Sequence, residues 1–227
     1  MVRLNPTLAL FLLGAIVSDC DIAVAWSGPR SPPPLRRNST VAVVETGEWS
    51  GYVGLEARYF VDDPLYVGQQ YNNQSVVFAP EYYRQWQDSR FSLTFRPFLR
   101  QDSSDDQRSH VDVRELLWLM VGDNWELRAG LGHLFWGVTE SQHLVDIVNQ
   151  SDSVEDMDGE QKLGQPLIDL SLIRDWGTLD LLLLPGFRER TFPGSDGRLR
   201  TALTVDVDQV GYEADAGDQR VDVALRC

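Results

Sequence analysis

The sequence predicts an all-β fold: an antiparallel transmembrane β-barrel, incomplete in its present length, with about nine strands and one long loop carrying a short helix. Three observations predict it. From Trp49 onward apolar residues recur at every second position rather than every third or fourth, which gives each strand one oily face and one polar face. The connections between these runs alternate long and short, as in outer-membrane barrels, where one rim carries tight turns and the other long loops. Aromatic residues gather at the ends of the runs (Trp49, Tyr59, Phe60, Tyr82, Tyr83, Trp86, Trp125, Phe135, Trp136, Trp176), where interfacial girdles belong.

The elements follow in order. Arg3, the apolar run Leu8 to Val17 and the small-x-small pattern Ala23-Val24-Ala25 read as a signal peptide over residues 1–25, cut after Ala25, and imply export. That run is too short for a spanning helix, which needs roughly 18 apolar residues. Residues 26–47 hold Ser31-Pro32-Pro33-Pro34 and read as an extended Pro-rich linker. Residues 48–227 are the barrel region. Tyr52–Val61 sets Val53, Leu55, Ala57, Tyr59 and Val61 against Tyr52, Gly54, Glu56 and Arg58. Phe91–Arg100 sets Phe91, Leu93, Phe95 and Leu99 against Ser92, Thr94, Arg96 and Arg100. Trp125–Trp136 sets Trp125, Leu127, Ala129 and Leu131 against Glu126, Arg128, Gly130 and Gly132. Shorter runs repeat the pattern at Ile168–Leu172, Leu179–Leu183, Leu203–Val207 and Val221–Leu225. Two runs are less clean. Val76–Trp86 contains Pro80, and His110–Val121 puts Glu115 on the same parity as Val111, Val113, Leu117 and Leu119.

Composition narrows the function. Asp and Glu number 34 against 20 Lys and Arg, a formal charge of −14, with no basic stripe. Nucleic acid is therefore not an expected partner. Hydrophobic residues make up 43 % of the chain, too many for bulk disorder. Cys20 falls in the signal segment, so the exported chain keeps one thiol, Cys227, and neither a disulfide scaffold nor a Cys-based zinc site is expected. Gly130-Leu131-Gly132 lacks the third glycine of a dinucleotide loop, since Phe135 stands there. The acidic segment Asp152, Glu155, Asp156, Asp158, Glu160 has Val154 and Gln165 where a calcium loop wants carboxylates, and reads as a solvated loop. The histidines, at 110, 133 and 143, lack metal-ligand spacing, so no metal or cofactor is expected. His133 with Ser141 is the one pair an outward-facing hydrolase would have at hand.

On the barrel reading the polar parity faces a lumen, and the pore-lining candidates are Glu56, Arg58, Arg96, Arg100, Arg114, Glu126, Arg128, Asp169 and Asp180. Thr139 to Asn149 has helical spacing within the long connection 138–165, and Asp146, Asn149 and Asp152 are candidates for a constriction. The expected function is porin-like passage of a polar or anionic solute through the bacterial outer membrane, with that membrane's lipid as the other partner and no covalent chemistry. The alternative is a secreted or periplasmic β-sandwich acting as a binding module, whose oily faces would pack on a second layer.

The stretch from about His110 to Arg190 resembles a family of large, porin-like proteobacterial outer-membrane β-barrel proteins. The residues that carry the likeness are Arg114-Glu115-Leu116, Gly122-Asp123-Asn124-Trp125-Glu126-Leu127-Arg128-Ala129-Gly130, Phe135-Trp136-Gly137 and Val145-Asp146-Ile147-Val148-Asn149 with Asp152. Gln150 stands where that family has proline. The resemblance implies a barrel of more strands than the nine visible here, and it implies no particular solute.

Overall fold

The computed structural model describes residues 17–27 (backbone), 47–135, 148–156, 158–213 and 215–227. Period-two runs become strands because neighbouring runs satisfy each other's backbone groups while side chains alternate between the two faces. Here they form one antiparallel sheet of nine strands in strict sequence order. The strands are β1 (Val17–Ser27), β2 (Glu48–Phe60), β3 (Asn72–Trp86), β4 (Phe91–Asp102), β5 (His110–Val121), β6 (Trp125–Gly132), β7 (Gln165–Arg174), β8 (Gly177–Pro185) and β9 (Val221–Arg226). The sheet is open, with β1 and β9 at its edges. No α-helix occurs among the described residues, only three 3-10 turns.

The run Leu203–Val207, expected as a strand, is not one. Leu203 is 83 % exposed, and a 3-10 turn begins at Val207. The Asp206 carboxylate accepts hydrogen bonds from the Asp208 amide (3.1 Å) and the Gln209 side chain (2.6 Å). Such local bonds offer the chain a turn in place of a ladder. The ninth place in the sheet goes instead to β1, which pairs with β2 from Val17↔Phe60 to Ser27↔Ser50. Cleavage after Ala25 would remove most of β1 and leave β2 as an edge. Residues 1–16, most of the expected linker (28–46), the expected helix up to residue 147, and Asp146 with it, lie outside the described residues.

The mixed parity of His110–Val121 has a definite cause. Arg96 pairs with Glu115 and Pro97 with Val113, so Arg114 is an extra residue in β5. A bulge of this kind shifts every later side chain by one position. Val111 (76 % exposed) and Val113 thus share a face with Leu116 (45 % exposed), whereas Glu115 shares the opposite face with Leu117.

The two faces differ sharply. One carries the exposed side chains Leu55, Val76, Phe78, Leu99, Ile168, Leu181 and Val223. The other carries Asn73, Ser75, Ser92, Arg100, Asp102, Asp169, Ser171 and Asp180, none more than 8 % exposed. The apolar core is small: Leu134, Leu167 and Leu182, packed by Leu117, Val148, Leu184 and Ala224. The polar face is the covered one.

The rims differ as well. Beyond β2, the connections at one rim are the short turns 87–90, 122–124 and 175–176. Near them Trp86 stacks on Phe91 (5.8 Å) and Phe91 on Trp118 (6.0 Å). The other rim carries 61–71, 103–109, 133–164 and 186–220. These long connections hold one another. Gln69 donates to the Gly197 carbonyl (2.8 Å), Arg198 to the Asp62 carbonyl (2.8 Å), and the Gly194 amide to Asp105 (3.0 Å).

Candidate functional site

Under the long-loop rim, the polar face forms a charged cavity of about 470 Å³. Strand alternation supplies most of its charges. β2 presents Glu56 and Arg58, β4 presents Arg96 and Arg100, the bulge adds Arg114, and the turn after β4 adds Arg108. Segments 148–156 and 158–163 lie over this face and add Glu155, Asp156 and Lys162. Six cations (Arg58, Arg96, Arg100, Arg108, Arg114, Lys162) line the cavity against four carboxylates (Glu56, Glu81, Glu155, Asp156). Further carboxylates stand behind this lining, Asp112 and Asp152 at Arg114 and Glu115 at Arg96, so the recess is dense in charges of both signs, and low-dielectric walls concentrate their fields.

Glu56 is the hub of the network. Its carboxylate lies 2.9 Å from Arg58, 3.1 Å from Arg100 and 3.0 Å from Arg108. Arg100 also donates to Ser75 (2.6 Å) and grips Glu155 through Nε (2.9 Å) and Nη2 (2.7 Å). A guanidinium holding a carboxylate through two nitrogens is among the strongest side-chain contacts available. Arg114 pairs with Asp152, stands 3.4 Å from Asp112, and lies over the Phe98 ring at 4.3 Å. Two carboxylates of one loop therefore occupy two arginines of the wall.

The loop is built to hold this pose. Asp152 donates its amide to the Gln161 carbonyl (2.8 Å) and accepts from Thr191 (2.5 Å). Burial alone would raise the Asp152 carboxyl, but Arg114 and the Thr191 hydroxyl hold it below the ordinary aspartate value. Asn149 is buried and bonds the Leu134 amide (2.8 Å) and the carbonyls of Gly132 (3.0 Å) and Leu163 (2.9 Å). It ties both ends of the long connection to the end of β6. Burial, with Arg100 beside it, lowers the Arg108 guanidinium from its ordinary value.

The expected pore-lining residues divide into two groups. Glu56, Arg58, Arg96, Arg100 and Arg114 meet in the cavity. Glu126, Arg128, Asp169 and Asp180 share the same face farther along the sheet and form a ladder outside the cavity lining. There Arg128 lies 3.2 Å from Glu126 and 3.6 Å from Asp169, and Arg226 lies 2.6 Å from Asp180. The expected constriction residues differ too: Asp152 anchors the loop and Asn149 is a strut. The acidic loop read as solvated is so only at Asp156, Asp158 and Glu160, because Asp152 and Glu155 turn inward onto arginines. Sequence reasoning missed Arg108 and the part played by Glu155. Its one available signal was the surplus of inward arginines on the early strands, which require carboxylates from elsewhere. His133 bonds the Lys162 carbonyl (2.9 Å), and Ser141 lies outside the described residues. No group of histidine, cysteine and carboxylate side chains suited to a metal ion occurs among the described residues.

No family model matches the chain, and neither a curated protein nor a solved structure is similar to it. The likeness to porin-like barrels thus rests on the sequence motifs alone.

Proposed function

We propose that this sheet is part of an outer-membrane β-barrel that passes a polar or anionic solute, without covalent chemistry. The observation that carries the reading is the inverted sheet: leucine, valine, isoleucine and phenylalanine face outward, while arginines, carboxylates and serines are covered. A soluble sheet hides its apolar face against a second layer, and no such layer lies on this face among the described residues. Lipid would supply the missing apolar partner. β2 to β8, at 8 to 15 residues each, suit a tilted crossing of the hydrocarbon, which takes roughly 9–11 residues. Backbone groups in hydrocarbon must all be paired, so β9 and the opposite edge, which is β2 once the leader is cut, would pair with each other or with further strands. Lys162 and the half-exposed Arg96 in the cavity lining support preference for an anion.

The test is reconstitution of the full chain in planar bilayers. Conductance with anion preference that falls in the double variant Arg96→Glu/Lys162→Glu is the expected result. Extraction from membranes without detergent, and no conductance, would favour the binding-module reading.

A further inference from the structure

Among the described residues, Glu155 is the one that fills the Arg100 fork from a loop rather than from the wall. It is a tethered carboxylate sitting where a solute's carboxylate would sit. We infer that the cavity binds small dicarboxylates, one carboxylate taking the place of Glu155 on Arg100 and the other meeting Arg96 and Lys162. The inference rests on the passage reading and names the solute class of that site.

The need for two charges follows from the competition. A tethered group competes at an effective concentration on the order of millimolar. A monocarboxylate that displaces Glu155 exchanges one ion pair for an equivalent one and gains nothing to offset that advantage. A dianion gains a second contact, and the cavity holds cations with capacity for it. Lys162 donates to the Ser151 hydroxyl (3.0 Å) and has no carboxylate within ion-pair distance among the described residues. Arg96, about half exposed, meets Glu81 and Glu115 only at 3.4 and 3.5 Å. Asp152, by contrast, is fully buried and tied to the loop backbone, so the Arg114 pair stays closed. Phe98, Tyr52 and Phe135 supply apolar lining for a short carbon chain between the two carboxylates. The volume of about 470 Å³ lies within the range of small-molecule pockets.

Calorimetric titration of the full chain in detergent micelles with succinate and with acetate tests this. Succinate should bind saturably and acetate should not. Glu155→Gln, which frees Arg100, should tighten succinate about tenfold. Glu155→Ala should do the same, which guards against a defect peculiar to glutamine, and unfolding curves would verify that both variants fold. Equal heats for succinate and acetate, or unchanged succinate affinity in both folded variants, would overturn the inference. Potassium chloride conductance of the same preparation separates the two readings. Pores without succinate binding sink only the dicarboxylate site, whereas succinate binding without pores sinks only the passage reading.

Discussion

The outer and inner faces of this sheet obey opposite rules. Outward, Leu55, Leu181 and Val223 are 50, 39 and 78 % exposed, and each has neighbours of its own kind. Inward, Arg100, Asp169 and Asp180 are nearly fully covered: Arg100 holds Glu56 and Glu155, Asp180 holds Arg226, and Asp169 has Arg128 at 3.6 Å. Water favours the reverse arrangement, because apolar burial stabilises by about 25 cal/mol per Å² while covered charges lose their hydration. Apolar cover would stabilise the first face, and the second depends on the pairing of its charges.

The strongest way to break the contrast is Arg100→Ala. It takes from Glu155 the guanidinium that grips it and from Glu56 one of three arginines, and removing one partner of a covered ion pair costs about 3–5 kcal/mol. Urea unfolding of the chain in vesicles measures it, and a loss under about 1 kcal/mol would mean that the inner face is simply wet. Next comes the outer face. Leu181→Arg places a charge amid Leu170 and Leu225. In a bilayer this costs about 2–4 kcal/mol near the midplane, whereas an exposed site in water would register within about 0.5 kcal/mol. The same unfolding assay in vesicles decides between them.

Asp152→Asn sharpens the account of the loop. It exchanges a charged contact to Arg114 for a neutral one, a loss of about 1 kcal/mol at neutral pH. Because the folded-state value of Asp152 is lowered, its contribution is present above the ordinary aspartate value and is lost as pH falls through the lower, folded one. The difference between wild type and variant should therefore hold at neutral pH and shrink only in strong acid. Val205→Ser should have the smallest effect, within about 0.5 kcal/mol, since this residue lies in exposed chain rather than in a strand. A larger loss would restore the strand expected there.

Much of the fold was legible because its signals are local. The alternation in Tyr52–Val61 and Phe91–Arg100 matches the division of β2 and β4 into two faces, and Glu56, Arg58, Arg96 and Arg100 meet in one cavity. Leu203–Val207 shows the limit of the same signal: alternation marks a strand only where a partner is available, and Asp206 turned the chain first. Arg108 carried no pattern, since it lies in a short turn outside any run.

The sequence by itself determined most of the two-faced strands and the contrast between long and short connections, because these depend on residues a few positions apart. Only the tertiary structure decided where β5 bulges and which charges pair. One extra residue at Arg114 reverses every side chain after it and brings Arg114 and Glu115 to the same face. Arg100 finds Glu56 and Glu155 across 44 and 55 residues of sequence. Periodicity is a property of the local backbone, whereas electrostatic pairing depends on distance in space, which exists only once the sheet is formed.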